Sequence, residues 1–391
     1  MTTEETVTAS RPLEGIVVLD FAQFLAGPMA TLRLADLGAD VIKVERPGTG
    51  ELGRDLLLSD QLIDGASGLF QTINRGKRSV TANLKDENDL ERVRQLIDSA
   101  DVLVENFRPG VMERLGLGPE DVRARNPRLI YARVTGYGPD GPWRGAPGQD
   151  LLVQAKSGLM WLSGRLSDPP TPTGLSLVDI YTGSVITQAI LAALVGRATT
   201  GQGSCVETSL LEAAADLQVE QLTVFLNDGG HQPQRGSVAT AHPNLTAPYG
   251  VYATSDGWLA LAMSSLTDLA VLLDIEALAE PSAATFVNRD PIKQLISDRL
   301  VGGTTRAWLD VLEPAGVWCA EVLNWRALSA EPGWAAAEIV QSVQTSGGGS
   351  FRTTRCPIRY NGARLVNDRP APKLGEHGSV AVAVGVEETA S

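Results

Sequence analysis

The chain has 391 residues, of which 43% are hydrophobic and 20% are charged, a composition typical of a globular protein with a substantial core. Its formal net charge of −13 argues against nucleic acid as the main partner, so an anionic ligand would need a local basic pocket. The three cysteines, Cys205, Cys319 and Cys356, are far apart and odd in number, which excludes a disulfide framework and favours a reducing compartment.

The start of the chain, "MTTEETVTASRP", is polar and acidic and lacks the basic residues and apolar run of a signal peptide. We find no apolar run that approaches the length of a membrane span. We therefore expect a cytoplasmic protein without a membrane partner.

The first part of the chain alternates between short apolar runs and helical patterns. "GIVVLDF" predicts a strand, "AGPMATLRLADLGA" predicts a helix that ends at Gly38, and "DVIKVE" predicts a second strand. "SVTANL", "DENDLERVRQLIDSA" and "DVLVEN" repeat the strand–helix–strand order, and "LIYARVTGYG" adds another strand. This order predicts an α/β fold whose large domain is a Rossmann-like parallel sheet with right-handed crossovers.

The second part of the chain has a different character. Residues 150–215 are helical and rich in small residues, and the Gly, Pro and polar cluster "NDGGHQPQRGS" predicts a boundary. "APYGVYATSDGWLALAM" predicts a hairpin with "TSDG" as its turn, followed by helices. The predicted organisation is a large domain over 1–225, a smaller α+β domain over 226–330 and a C-terminal segment over 331–391 that returns to the large domain.

Two glycine-rich stretches have alternative interpretations. "PGTGELG" contains a literal G-x-G-x-x-G at Gly48, Gly50 and Gly53, but it follows the second strand and carries Glu51 where phosphate would approach. Since the dinucleotide fingerprint belongs to the first strand-to-helix turn, we predict a surface turn and no NAD(P) site. "TSGGGS" (345–350) is interpreted as a flexible loop, either a lid or a linker.

Basic residues follow several predicted strands. Arg46 ends the second strand, where a βαβ nucleotide site contacts the ribose, and an arginine there suits a phosphorylated ribose such as that of coenzyme A or NADP. A solvated strand end is the alternative for this residue. The remaining candidates for a basic pocket are Lys77, Arg78, Arg108 and Arg114. Asn106 ends the run "DVLVEN" and is placed to hydrogen-bond a ligand at the carboxyl edge of the sheet.

The sequence gives little support for a metal site or for a serine hydrolase. Only His231, His242 and His377 are present, none with a ligand partner at helical spacing, so we predict no metal site. A serine hydrolase is disfavoured because no G-x-S-x-G occurs.

Asp179 is the one acid at the start of the apolar stretch "LVDIYTGSVITQAILAALVGR". An aspartate at a helix start is commonly an N-cap, because its side-chain oxygen accepts a free backbone N–H.

Seven blocks along nearly the whole chain carry a family resemblance. They are "LDFAQFLAGP", "LGADVIKVERPG", "NRGKRSV", "DVLVENFRPGVMERLGL", "NPRLIYARVTGYGPDGPW", "GQDLLVQAKSG" and "CPIRYNGARLVNDRPAPKLGEHG". Together they resemble the class III coenzyme A transferases (CaiB/BaiF type), a superfamily that includes formyl-CoA transferases, crotonobetainyl-CoA:carnitine transferases and α-methylacyl-CoA racemases. The resemblance implies an interlocked-ring homodimer, with acyl-CoA and a carboxylic acid as substrates.

The resemblance also implies roles for individual residues. Asp179 would be the nucleophile, and Gln149 is a candidate hydrogen-bond donor to it by position only. Implied or candidate coenzyme A contacts are Phe24, Leu25, Ala26, Arg46, Asn74, Lys77, Asn106, Phe107, Arg114 and Tyr137, and Met160 is a further candidate lining residue.

Two departures from the family pattern bear on the reaction. The racemases have a histidine before the aspartate of the G-x-D block, whereas this chain has Gln149, which cannot exchange a proton near neutral pH. The glycine-rich loop of formyl-CoA transferase is not recognisable in "RGSVATAHPNLTAP", which puts formyl or oxalyl specificity in doubt.

The resulting prediction is a CoA-transferase that moves CoA from an acyl-CoA to a free acid through an aspartyl anhydride and an aspartyl-CoA thioester. The alternatives are an α-methylacyl-CoA racemase on the same fold and a non-catalytic acyl-CoA-binding protein. The sequence does not choose the acyl donor or the acceptor.

Overall fold

The computed structural model describes residues 11–379 and divides them into two compact units. The large unit holds residues 11–153, 176–213 and 338–379, and the small unit holds residues 154–175 and 214–337. The predicted boundaries at 225 and 330 differ from these divisions. The small unit also includes residues 154–175, because this segment hydrogen-bonds to residues after 214. Gln218 Nε2 donates to the Ser157 carbonyl, and the Leu166 N–H donates to the Gly236 carbonyl.

The large unit is built on a six-stranded sheet. Its strands and those of a small hairpin are β1 (Val17–Asp20), β2 (Asp40–Glu45), β3 (Leu62–Ile63), β4 (Ala66–Ser67), β5 (Arg78–Thr81), β6 (Val102–Glu105), β7 (Ile130–Thr135) and β8 (Cys205–Ser209). The sheet order is β5-β2-β1-β6-β7-β8 and every neighbouring pair is parallel. The predicted Rossmann-like parallel sheet is therefore confirmed.

Helices connect and cover these strands. They are α1 (Ala26–Asp36), α2 (Gly68–Ile73), α3 (Glu87–Ser99), α4 (Val111–Arg114), α5 (Pro119–Arg125), α6 (Asp150–Lys156), α7 (Leu177–Thr200) and α8 (Leu210–Asp216). The central strands β6 and β7 are entirely buried, because helices on both faces exclude water from a parallel sheet, whereas the edge strand β8 is partly exposed. The amphipathic α3 buries Leu90, Val93, Leu96 and Ile97 in one apolar core with Leu19, Leu103 and Tyr131.

The small unit has its own apolar core, with the fully buried Leu259, Leu269 and Leu312 among its members. Its elements are α9 (Val219–Asn227), β9 (Gly250–Ala253), β10 (Trp258–Leu261), α10 (Leu266–Leu273), α11 (Arg289–Leu300), α12 (Thr305–Leu312), β11 (Cys319–Glu321), α13 (Trp325–Ala330) and α14 (Pro332–Ala337). The predicted hairpin is confirmed as the antiparallel pair β9–β10. β11 adds a third strand that the sequence did not reveal, because three residues are too few to show an alternation.

The C-terminal part of the large unit contains two further hairpins. Their strands are β12 (Val340–Gln344), β13 (Ser350–Thr354), β14 (Arg359–Tyr360) and β15 (Ala363–Arg364). Short 3-10 helices occur at Leu52–Arg54, Leu159–Trp161, Glu276–Ala279, Pro281–Ala284 and Phe286–Asn288. The stretch 345–350, interpreted as a lid or linker, is the turn between β12 and β13, and Thr345 hydrogen-bonds there to Asp64.

Helix α7 corrects one expectation. It is 24 residues long and, by length and composition alone, apolar enough to cross a membrane, whereas we expected no such run. In the structure α7 packs against α1, β7 and β8, and it buries the polar side chains of Thr182, Thr187 and Arg197. The core helix of a globular protein meets the same criteria.

Candidate active site

A cavity of about 920 Å³ opens at the carboxyl edge of the sheet, within the size range of ligand sites. The strand order reverses between β1 and β6, and ligands of open α/β sheets bind at such a switch point. The residues after β1, β2, β5 and β6 supply the lining: Phe21, Ala22, Gln23, Val44, Glu45, Arg46, Thr49, Gly50, Glu51, Leu52, Asp55, Ala82, Asn83, Leu84, Lys85, Phe107, Val111, Arg114 and Leu115.

Three cations line this cavity: Arg46, Lys85 and Arg114. Among residues 11–379, none of the three forms a salt bridge with a carboxylate. Arg46 and Arg114 were predicted contacts, and Lys85 was missed because its proximity to them arises only when β5 lies beside β2. The cavity therefore offers an overall acidic protein the local basic pocket that an anionic ligand requires.

Three carboxylates line the cavity: Asp55 is exposed, and those of Glu45 and Glu51, on the floor, are neutralised by their own partners. Arg54 forms two hydrogen bonds to Glu45, at 2.6 and 2.7 Å, and Lys43 lies 3.4 Å from Glu51. Burial alone would raise the pKa of Glu45, but the hydrogen bonds from Arg54 and the charge of Lys43 outweigh burial and hold that pKa below its usual range. These two floor carboxylates therefore do not cancel the cations at the wall.

The first βα turn forms one wall of the cavity, although the predicted coenzyme A contacts Phe24, Leu25 and Ala26 are not among its lining residues. Phe24 is exposed and has a left-handed backbone (φ 63°), which is uncommon for a residue other than glycine. Leu25 precedes the first residue of α1, and Ala26 is buried. Gln23, in this turn, and Ala22, which precedes it, line the cavity directly.

Asn106 has a different partner from the one expected. Its Oδ1 accepts the Gln23 N–H and its Nδ2 donates to the Gln23 carbonyl, both at 2.8 Å. Both the oxygen and the nitrogen of the Asn106 amide therefore bond the first βα turn. Asn106 does not line the cavity, and it supports the turn that forms the wall. Its neighbour Phe107 packs on the core and lines the cavity.

Lys77 and Asn74, also predicted contacts, lie in the interior and do not line the cavity. The Lys77 ammonium donates to Asp20 at 3.0 Å, to the Pro28 carbonyl at 3.0 Å and to Asn74 at 2.8 Å. Burial lowers the pKa of Lys77 to about 8, although Asp20 opposes this shift. In the structure these side chains support the floor beneath the first βα turn.

The glycine-rich loop after β2 is only partly the surface turn that we predicted. Residues 46–49 are exposed, but Glu51 and Gly53 are buried. The Glu51 carboxylate accepts hydrogen bonds from the backbone N–H groups of Phe24 and Gly53, at 2.9 and 3.1 Å. The loop therefore contributes a buried carboxylate to the cavity lining, which a comparison with the dinucleotide fingerprint overlooks.

Asp179 lies in the first turn of α7, at its third residue, and is half-buried. At the far end of the helix, Arg197 bonds to Asp101 and to the Arg128 carbonyl, which precede β6 and β7 at the amino edge of the sheet. The N-terminus of α7 therefore points to the carboxyl edge, the edge that carries the cavity. Gly183, one turn after Asp179, packs against Ala26 of the first βα turn.

Asp179 is not the N-cap of its helix. Ser176 holds that position without a capping side-chain bond, and Asp150 from α6 accepts the Asp179 N–H at 3.0 Å. Burial raises the pKa of Asp179 to about 7, and the Asp150 carboxylate adds to the shift. Sequence analysis did not single out Asp150, although it is the aspartate of the quoted "GQD" block.

Three further predicted residues, Gln149, Tyr137 and Met160, lie outside the cavity lining. The Gln149 side chain is exposed and forms no hydrogen bond to another residue in the range 11–379, so the expected bond to Asp179 is not formed here. Tyr137 is buried and packs edge-on against Trp143, with ring centroids 5.9 Å apart. Met160 belongs to the small unit.

Comparisons with known proteins identify the class. The family model of CoA-transferase family III matches residues 13–378. The chain is 35% identical to the probable fatty acyl-CoA transferase Rv3272 of Mycobacterium tuberculosis, over 97% of this chain and 99% of that protein. It is 34% identical to the succinate–glutarate CoA-transferase of Agrobacterium fabrum, over 94% of each chain.

Solved structures agree with this match. A crystal structure of Rv3272 superposes with a TM-score of 0.81 at 34% identity and covers 94% of this chain and 98% of its own. A CaiB/BaiF family protein from Brucella suis gives a TM-score of 0.79 at 34% identity, over 95% of this chain and 98% of its own.

The chain belongs to CoA-transferase family III. It is an enzyme of that family, and its reaction is the transfer of CoA between an acyl-CoA and a carboxylic acid.

Proposed function

We propose that the enzyme transfers CoA through covalent intermediates on Asp179. The observation that carries the proposal is the position of this carboxylate: half-buried, with a raised pKa of about 7, at the end of α7 that faces the carboxyl edge of the sheet. An ionised carboxylate with such a pKa is a stronger base than an ordinary aspartate and so a better nucleophile at neutral pH.

In the first half-reaction, an Asp179 oxygen attacks the thioester carbon of the acyl-CoA. The carbon–sulfur bond breaks, CoA leaves as a thiolate and an aspartyl–acyl anhydride remains. The thiolate then attacks the Asp179 carbonyl, which releases the donor acid with one aspartate oxygen and leaves an aspartyl-CoA thioester.

The second half-reaction runs in reverse with the acceptor. The acceptor carboxylate attacks the aspartyl-CoA carbonyl and displaces the thiolate, which forms a second anhydride. The thiolate attacks the acceptor carbonyl, so the new acyl-CoA leaves and Asp179 regains a carboxylate with one oxygen from the acceptor. No net proton or redox change is needed.

Each tetrahedral step develops an oxyanion that requires hydrogen-bond donors. The N–H groups of Leu177 and Val178, in the first turn of α7, form no hydrogen bond to residues in the described range. We assign them this role, since orphan amides at a helix start are oriented donors. Asp150 holds the Asp179 amide and so fixes the start of the helix.

The cavity would hold the CoA moiety. Arg46, Lys85 and Arg114 would contact its phosphates, and Phe107 and the first βα turn would pack against its apolar parts. Among acceptors, we propose a dicarboxylic acid, because the Agrobacterium relative is named for succinate and glutarate.

We further propose that the enzyme works in the cytoplasm as an interlocked homodimer, the assembly that the family resemblance implies. A racemase would need a histidine where this chain has Gln149, which counts against that alternative. A racemase would also exchange the α-proton of its substrate in deuterated water without any acceptor acid.

The proposal is tested by incubating the enzyme with a panel of acyl-CoAs and hydroxylamine, followed by peptide mass spectrometry. A hydroxamate on the peptide that contains Asp179, lost in the conservative variant Asp179→Asn, is the expected result. CoA binding and transfer without any modification of that peptide would contradict the covalent route.

A further inference from the structure

The first βα turn holds an unfavourable backbone conformation at the wall of the cavity. Phe24 has a φ of 63°, in the left-handed region that favours glycine. A residue other than glycine keeps this conformation only when contacts with its surroundings stabilise it by more than the backbone strain costs. The side chains that do so therefore determine the shape of the wall.

Two side chains from other elements bond the turn. Asn106, after β6, bonds both backbone groups of Gln23 at 2.8 Å. Glu51, in the loop after β2, accepts the N–H of Phe24 itself at 2.9 Å. Since Glu51 bonds the strained residue directly, it is the acceptor whose loss would release Phe24.

Glu51 is itself held in place from several sides. Only 5% of the residue is exposed, and its carboxylate also meets Gly53 N–H at 3.1 Å, Asn74 Nδ2 at 3.4 Å and the Lys43 ammonium at 3.4 Å. Lys43 in turn donates to the Ala22 carbonyl at 2.7 Å, so strand β2 fixes both the acceptor and the residue before the turn. The geometry is that of a clamp, which we define as Glu51 with Lys43 and Asn74.

The chemistry of the clamp requires a carboxylate. One oxygen accepts from Phe24 and Gly53 while the other faces Asn74 and Lys43, so each of its oxygens meets only donors. A glutamine would place an N–H₂ group against one of these donors. A neutral isostere therefore cannot satisfy both sides at once.

We propose that Glu51 is a positioning residue for coenzyme A: its carboxylate holds Phe24 in the left-handed conformation and thereby sets the cavity wall at Gln23. The inference rests on the proposed use of this cavity for CoA. Glu51 acts through the turn and not through the reacting atoms, so it determines CoA affinity and leaves the chemistry at Asp179 largely unchanged.

A double-mutant cycle with Phe24→Gly tests this mechanism. Glycine adopts a positive φ without strain, so a turn with glycine needs the clamp less. We expect Glu51→Gln to raise the Kd for free CoA, measured by calorimetry, about tenfold in the Phe24 background and less than about threefold in the Phe24→Gly background. At saturating acyl-CoA, kcat of the single variant should fall less than about threefold.

Asp36→Asn is the matched control, because Asp36 is also a buried, ion-paired carboxylate but bonds Arg33 and Arg75 and neither the turn nor Glu51. Its effect on the Kd should be equal in both backgrounds. Glu51→Asp, which keeps the charge near Lys43 but withdraws the oxygen from Phe24, replaces Glu51→Gln if that variant does not fold.

The outcomes separate this inference from the proposed function. Equal fold-changes for the Glu51 variants in both backgrounds, an unchanged Kd, or failure of both variants to fold would overturn the positioning role. If the unmodified enzyme bound no CoA, the proposed use of the cavity would fail as well. Coupling between positions 24 and 51, absent for Asp36, supports the inference.

Discussion

At the scale of single residues, Asp179 combines two opposing features. It lies in the first turn of a helix, where a negative charge is favoured, yet burial and the Asp150 carboxylate raise its pKa to about 7. The balance leaves a carboxylate that is about half ionised near pH 7 and more basic than an ordinary aspartate, as the proposed attack on a thioester requires.

The first prediction concerns the pH dependence of transfer. Because the pKa of Asp179 is raised, the proposed nucleophile is protonated below about pH 7, so kcat/KM should fall about tenfold per pH unit on the acid side. In Asp150→Asn, which keeps an oxygen for the Asp179 N–H but loses the charge, the acid limb should move to lower pH. An initial-rate profile that is flat between about pH 5 and 8 would contradict this assignment.

The second prediction concerns stability. A carboxyl whose pKa is higher in the folded state than in the unfolded state binds more protons when folded, so stability decreases as pH rises from about 4 to about 7. Asp179→Asn removes this cost and should be more stable than the parent by about 2 kcal/mol at pH 8, with little difference at pH 4. Urea unfolding of both proteins at pH 4 and pH 8 measures this difference in the free energy of unfolding.

The control for that measurement is Asp140→Asn, which changes an exposed carboxylate. Its effect should not depend on pH. A stability gain in Asp179→Asn that is the same at both pH values would mean that the raised pKa is not the cause.

At the scale of elements, α7 and α1 meet at small residues. A Cβ added at Gly183 would lie 2.8 Å from the Ala26 carbonyl oxygen and 3.0 Å from the Met29 Cβ, so the close approach of the two helices requires glycine. This contact connects the helix that carries Asp179 to the turn that forms the cavity wall.

The third prediction follows from this contact. Gly183→Ala forces the helices apart and should lower the free energy of unfolding by about 1–3 kcal/mol and raise KM for acyl-CoA. Gly196→Ala, in the same helix but with no atom within 4 Å of the added Cβ, should be stabilising by about 0.5–1 kcal/mol. Equal effects of the two changes would show that the helix contact is not tight.

The elements also differ in how far the sequence predicts them. The apolar runs of β1, β2 and β6 and the amphipathic α3 are determined by local pattern, and each occurs where predicted. β11 escaped prediction because it is short. The bond between Asp150 and Asp179 and the burial of Glu51 escaped because they depend on residues brought together only by the folded chain.

At the scale of the whole molecule, an acidic protein concentrates unpaired cations at one cavity. The chain carries a net charge of −13, yet Arg46, Lys85 and Arg114 line this site without salt bridges to residues in the range 11–379. Composition alone predicted the need for such a pocket. The family resemblance of the sequence blocks predicted Arg46 and Arg114. Lys85 is recognised only in the structure, where β5 lies beside β2.

The fourth prediction tests the phosphate contact. Arg46→Ala should weaken CoA binding about tenfold but change the affinity for dephospho-CoA little, because one charge-assisted hydrogen bond to the ribose phosphate is lost. Arg108→Ala, an exposed arginine outside the cavity lining, is the control and should leave both Kd values within about twofold. Calorimetry with both ligands measures these values, and an equal loss for CoA and dephospho-CoA would place the phosphate elsewhere.

The most direct test of the account follows oxygen atoms. In the proposed route, Asp179 receives one oxygen from the acceptor carboxylate in each complete turnover. After turnover with an acceptor acid labelled with heavy oxygen, mass spectrometry should find the label in the peptide that contains Asp179 and in no other carboxylate. Complete turnover that leaves this peptide unlabelled would show that the acids react without a covalent bond to Asp179, and the central claim would be wrong.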